Sequence, residues 1–163
     1  MFRLVTLNLN GIRSAANKGF EAWASSVAAD CMGVQEIKAL ADDVKGRFDT
    51  VGGMKGHFHF AQKKGYSGVG LYSRKKPSEV ITGLGNAEFD AEGRYVEARF
   101  DNPKRRRFPK LSIVSCYFPS GSSGEERQRA KLRFLATMTP HLRQLGTERE
   151  FILVGDVNIA PNP

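Results

Sequence analysis

Cysteine is nearly absent from the 163-residue sequence: Cys31 and Cys116 stand apart in apolar, strand-like contexts, with no CxxC pair and no framework spacing. This excludes a disulfide scaffold or a cysteine zinc site, and both thiols read as reduced core residues. Histidine is scarce as well. His57 and His59 form an HxH, but with no Cys or third His nearby they read as two same-side residues of one strand. Long apolar runs are missing, so no segment can span a bilayer, and "MFRLVTLNLN" alternates like a strand from the start, with no apolar signal-peptide core or cleavage site. A cytoplasmic protein with no membrane partner is the expectation. Repeats and low-complexity segments are also lacking. Acidic residues are in deficit, with 17 Asp plus Glu against 25 Lys plus Arg and a net charge of +8. That balance favours polyanionic partners, nucleic acid or an anionic surface.

What is present suits one soluble globular domain: 40% of residues are hydrophobic and 26% charged, enough for a real core at this length. Phe2 to Asn8 alternates as a strand and runs into the turn signal "NG". In "KGFEAWASSVAAD", Phe20, Trp23, Ala24, Val27 and Ala28 form the apolar stripe of a helix. "CMGVQE" is a short strand ending at Glu36, and "GVGLYSR", "RYVEARF" and "LSIVSCY" are further strands whose close succession predicts antiparallel pairing. "SGEERQRAKLRFLATM" predicts a second helix, with Ser123 and Glu126 as a capping box and Phe134, Leu135, Met138, Leu142 and Leu145 as the buried stripe. Pro140 is expected to kink or restart it. "EFILVGD" is the last strand, apolar enough to be buried on both faces. Helices interleaved with strands predict a layered α/β or α+β domain. The basic run "NPKRRRFPK" reads as a solvated hairpin tip between two strands.

Asn8, Glu36, Tyr117, Asp156 and Asn158 lie at or just after the carboxyl ends of separate strand-like runs. A sheet system that gathers those runs places them on one rim, where α/β folds bind ligands. Glu36 and Asp156 offer hard carboxylate oxygens, while Asn8, Asn10 and Asn158 offer amides, a set that suits Mg²⁺ or Mn²⁺ far better than zinc.

The blocks "TLNLNGIRS", "GVQEIK", "GYSGVGLYSR", "EGRYVEARF", "SCYFPSGSSGEERQRAKLRFL" and "VGDVNIAP" occur in the order and spacing of exonuclease III-type apurinic/apyrimidinic endonucleases, within the endonuclease/exonuclease/phosphatase superfamily. The chain resembles that family along essentially its whole length. The resemblance implies a four-layer α/β sandwich, two mostly antiparallel sheets flanked by helices. It implies that Glu36 is the principal Mg²⁺ ligand with Asn8 and Asn10 organising the metal site, that Tyr117 contacts the scissile phosphate, and that Asp156 orients or deprotonates the attacking water. Asn158 would hold a phosphate oxygen, and Arg13, Lys38 and Lys131 would hold the DNA backbone or support the site. The implied activity is Mg²⁺-dependent hydrolysis of DNA phosphodiesters at abasic sites and from 3′ ends, by a protein monomeric at full length. Such proteins continue beyond "GDVNIAP" to a terminal His motif, so residues 1–163 are expected to be the N-terminal portion of one such domain, incomplete at the C-terminus. Alternatives are a superfamily phosphodiesterase acting on an inositol phosphate or lipid, and a non-catalytic DNA-binding remnant.

Overall fold

A computed structural model of the protein describes residues 1–122 and 124–159. The elements run β1 (Leu4–Asn8), α1 (Ile12–Asn17), α2 (Phe20–Val27), β2 (Cys31–Gln35), α3 (Ala41–Val44), β3 (Thr50–Val51), β4 (Met54–His59) and β5 (Val69–Ser73). They continue with β6 (Glu79–Thr82), α4 (Ala87–Asp90), β7 (Tyr95–Arg99), β8 (Leu111–Tyr117), α5 (Glu125–Glu148) and β9 (Glu150–Asp156). One sheet has the order β1-β2-β5-β4-β3 and the other β6-β7-β8-β9. Among the described residues only β1 with β2 and β8 with β9 pair in parallel; each parallel pair spans a helical crossover, α1 and α2 in the first case and α5 in the second.

Strand alternation sorts the core into three seams, which makes four layers. Met32, Val34 and Tyr72 face outward from the first sheet and pack with Ile12, Phe20, Ala24 and Val44. Their neighbours Cys31, Val69 and Leu71 point the other way and meet Val96, Ala98 and Ile113 of the second sheet. On that sheet's outer face Tyr95, Val114 and Cys116 lie with Phe89, Phe134, Met138 and Leu145. The expected four-layer α/β sandwich is thus present, with antiparallel pairs in the majority. Both cysteines are free and buried, and the basic run 102–110 connects the antiparallel strands β7 and β8 as the expected hairpin tip. His57 and His59 lie on β4, and His59 Nδ1 is 2.9 Å from the Tyr95 carbonyl oxygen, a tie between the sheets.

Several expectations need correction. Trp23 is 41% exposed, and α2 stops at Val27, where Ala28 turns left-handed (φ 50°), so Phe20 and Ala24 are the buried part of the stripe. Helix α5 runs unbroken from Glu125 to Glu148 with Pro140 inside it. A proline removes one helical hydrogen bond and costs about 3 kcal/mol; here Phe134 and Met138 before it and Leu145 after it bury on one stripe, and that packing carries the helix through. Ser123 of the expected capping box lies outside the described residues; the N-cap position is Gly124, with no side-chain cap, and Glu126 instead pairs with Arg133 at 3.0 Å. Strand β9 is not buried on both faces. It is an edge strand whose residues are at best half-buried, and Ile152 is 41% exposed.

Strand β1 is likewise an edge, and it packs across β9, so two unpaired edges lie side by side with Phe2 and Ile152 exposed. Exposed apolar edges recruit further strands, and a charged side chain there blocks the pairing. The 163-residue polypeptide is expected to self-associate with rising concentration, and Ile152→Lys to suppress this; light scattering across a concentration series checks it, and a wild type that stays monomeric throughout removes the argument.

Under α5 the second sheet holds a buried acid that sequence reasoning did not single out. Glu97 is fully buried and accepts hydrogen bonds from Ser112 Oγ (2.6 Å), Arg99 Nε (2.7 Å) and Tyr95 Oη (2.9 Å). Burial raises its pKa, but the three donors and the Arg99 charge outweigh it, so the carboxyl is held below the ordinary glutamate range. A depressed carboxyl stabilises the fold above its unfolded pKa, and that stability fades as pH falls from about 4.3 through the lower folded value. Glu97→Gln, which leaves Arg99 without its buried partner, is expected to cost about 2–3 kcal/mol near neutral pH and less in acid. Urea titrations at pH 7 and pH 3.5 read both values; a pH-independent loss would contradict the ionised state.

Candidate active site

Strands β1, β2, β8 and β9 end on one rim, held together from below. A Cβ on Gly33 of β2 would lie 2.6 Å from Val154 Cγ2 of β9, so the sheets touch there. One step nearer the rim, Gln35 Nε2 donates to Ser115 Oγ at 3.0 Å, stitching β2 to β8. Tyr117 and Asp156 are register partners across the parallel β8/β9 pair.

Asn8 links the two sheets at the rim. Its Nδ2 donates to Glu36 Oε1 at 2.8 Å and to Asp156 Oδ2 at 3.0 Å, while its Oδ1 accepts from the Asn10 backbone N–H at 2.9 Å. Lys38 Nζ pairs with Glu36 Oε2 at 2.9 Å and also donates to Asn10 Oδ1. The Asp156 Oδ1 accepts from the Asn158 N–H at 3.1 Å, Asn158 Nδ2 donates to the Phe118 carbonyl at 3.0 Å, and Lys131 Nζ donates to the Asn158 carbonyl at 2.6 Å. Eight of the nine sequence-predicted residues are therefore one connected cluster. The exception is Arg13, whose guanidinium pairs with Asp43 of α3 at 2.7 Å and makes no hydrogen bond or ion pair with the cluster among the described residues.

Asn10, Glu36, Lys38 and Asn158 all hold left-handed backbone, with φ between 45° and 50°. For residues with a Cβ such conformations cost on the order of 1–3 kcal/mol each and persist where surrounding contacts impose them. Here the imposed contacts include Gly11 N–H to the Glu36 carbonyl at 2.7 Å and Lys38 N–H to the Ser67 carbonyl at 2.9 Å. The chain turns sharply after β1, β2 and β9, and the turn after β9 brings Asn158 to the groove that Asn8 and Asp156 also line.

Electrostatics assign protonation states. Burial raises the Glu36 pKa, but hydrogen bonds from Asn8, Lys38 and Tyr117 and the Lys38 charge prevail, leaving it below the usual value and ionised. Burial, then the Glu36 charge, push the Tyr117 phenol far above its ordinary value, with Arg94 opposing, so Tyr117 is a protonated donor. Among the described residues no three His, Cys, Asp or Glu side chains gather. The hard oxygens on offer are those of two carboxylates, since Asn8 turns its Nδ2 rather than its oxygen toward both. Mg²⁺, which keeps several waters and needs only one or two carboxylates, fits such a set.

Sequence reasoning missed Arg94, Tyr66 and Glu92, which lie directly behind Tyr117. Arg94 Nη1 donates to the Tyr117 carbonyl at 2.9 Å and its guanidinium carbon sits 4.9 Å from the Tyr117 ring centre. The only hint in the sequence was an arginine immediately before the strand in "GRYVEARF".

The model of the Endonuclease/Exonuclease/phosphatase family matches residues 5–163. The chain belongs to that family. It is 28% identical over 159 residues to an exodeoxyribonuclease of Bacillus subtilis, covering 97% of this chain and 59% of the relative. It is 28% identical over 160 residues to a DNA-(apurinic or apyrimidinic site) endonuclease of Dictyostelium discoideum, covering 97% of this chain and 42% of that one. The crystal structure of the Xenopus laevis APE2 catalytic domain superposes with a TM-score of 0.82 at 27% identity, over 99% of this chain and 60% of the other. This family member therefore spans three-fifths or less of the length of those proteins.

Proposed function

We propose that this chain carries the catalytic rim of a DNA repair nuclease that hydrolyses phosphodiesters 5′ to abasic sites and from 3′ ends. The observation that carries the reading is the Asn8 amide donating to Glu36 and Asp156 at once, with the protonated Tyr117 beside them. Asp156, aligned by Asn8 and by the Asn158 N–H, accepts a proton from the attacking water as its oxygen bonds to phosphorus and the bond to the 3′ oxygen breaks. Tyr117 Oη donates to a non-bridging oxygen as charge builds there. The second N–H of Asn158 Nδ2, not used on Phe118 and without another partner among the described residues, can do the same, and Lys131 fixes the loop that presents it. Mg²⁺ or Mn²⁺, held at Glu36 with Asn8 and Asn10 beside it, would supply positive charge to the phosphate and leaving oxygens. Lys38 balances Glu36 within the same cluster. The net charge of +8 supports a polyanionic DNA partner.

The test is cleavage of an abasic duplex by the 163-residue polypeptide in Mg²⁺, with EDTA as control. Incision that EDTA abolishes supports the reading, and no incision, or hydrolysis of an inositol phosphate instead, overturns it. Duplex affinity is expected to fall steeply with salt and to depend little on base sequence, because lysine and arginine contacts release phosphate counterions; a flat salt titration would remove DNA as the partner.

A further inference from the structure

We infer that Arg94 is a positioning residue for the reaction, acting through Tyr117 and Tyr66 rather than on the phosphate. This rests on the nuclease reading for its kinetic consequence. The Arg94 side chain is only 3% exposed, directly behind the rim, and each of its three nitrogens is engaged. Nε donates to Glu92 Oε2, Nη1 to the Tyr117 carbonyl at 2.9 Å, and Nη2 to Tyr66 Oη at 3.0 Å. The Tyr117 backbone N–H returns a bond to the Arg94 carbonyl at 3.0 Å.

The guanidinium also lies over both rings, 4.9 Å from the Tyr117 centre and 5.9 Å from that of Tyr66. Tyr66 Oη donates onward to Glu92 Oε1 at 3.1 Å, and Glu92 reaches Arg127 of α5 at 3.5 Å. Tyr117 is thus gripped at its backbone on both sides and across its ring by one buried cation whose charge Glu92 balances. A hydroxyl that must meet a phosphate oxygen needs that ring in one place, and misplacement by about 1 Å can cost 10²-fold in rate. Only a planar, forked cation can bond a carbonyl, a phenol and a carboxylate while stacking on a ring, so lysine is not a substitute. The same fork ties the 61–67 loop, through Tyr66, to the end of β8.

Arg94→Lys keeps the charge and loses the fork. It is expected to lower kcat on an abasic duplex by about 10- to 100-fold with KM within about twofold. In a Tyr117→Phe background the same substitution is expected to cost about twofold or less, since the hydroxyl it positions is gone. A rise in KM with kcat unchanged would make Arg94 a direct phosphate contact, and an undiminished loss in the Tyr117→Phe background would make it act independently; either overturns the inference. Glu92→Gln, which loosens the fork without removing it, is expected to give a smaller loss of the same kind.

A second arm needs no activity. The chain has four tyrosines. In ring spectra of tyrosine-labelled protein, Arg94→Lys is expected to shift Tyr117 and Tyr66 and leave Tyr72 and Tyr95 in place. An unmoved Tyr117, or equal movement of all the rings, overturns the inference. A wild type that leaves abasic DNA intact would refute the nuclease reading alone, and the ring spectra would still decide whether Arg94 holds Tyr117.

Discussion

Asp156→Asn is expected to lower single-turnover cleavage of an abasic duplex by about 10³-fold, the middle of the range for a lost general base, while duplex affinity changes little. Asparagine is nearly isosteric, and its carbonyl oxygen can still accept from Asn8 Nδ2 or the Asn158 N–H, so the rim should survive. What disappears is the group proposed to take the proton from water. Glu36→Gln tests the other half of the cluster: it keeps an acceptor for Asn8 but leaves Lys38 without its anionic partner. If Asp156→Asn retained the wild-type rate, the base would have to lie elsewhere and the role given to the Asn8 bridge would fall.

Gly155→Ala should be nearly as damaging, by a different route. A Cβ at Gly155 would lie 1.9 Å from the Cys116 carbonyl oxygen and 2.9 Å from its carbon, on the strand with which Gly155 is paired. The obstacle is backbone, so no rotamer change relieves it; β9 must shift off β8. A destabilisation of about 3 kcal/mol or more is expected. Activity should fall further than stability explains, because the displaced residue immediately precedes Asp156. Gly146→Ala is the control: it sits in α5, where the new methyl meets only Phe151 Cε1 at 3.6 Å, and helix propensity predicts a change of up to about 1 kcal/mol in the stabilising direction. Urea midpoints with cleavage rates for both variants check the pair, and a Gly155→Ala protein melting like wild type would show that the strand pairing tolerates a side chain.

Much of this was legible along the chain. The alternation of β1, the strand-length run of β7, the apolar stripe of α5 and the polar residues closing β2, β8 and β9 are local patterns, and local patterns survive into the structure. The errors also share a cause. An apolar run such as "FILVG" reads the same in a central strand as in an edge strand, because burial on a strand's flanks depends on sheet order, which periodicity does not carry. Pro140 reads as a break because its cost is local, whereas the packing of Phe134, Met138 and Leu145 that offsets it is tertiary. Glu97 and Arg94 went unnoticed because a charged residue looks solvated until its partners arrive from elsewhere in the chain.

By itself the sequence determined the type of most elements and which side chain stands at the end of each, through alternation, helical stripes and turn residues that act over a few positions. Only the tertiary structure decided which ends meet. Asn8 reaches Asp156 across 148 positions of sequence because β1 and β9 are the edges of two different sheets, and the close approach at Gly33 and the Gln35 to Ser115 bond bring those edges together. A juxtaposition of that kind depends on how whole layers pack, and no short-range pattern encodes it.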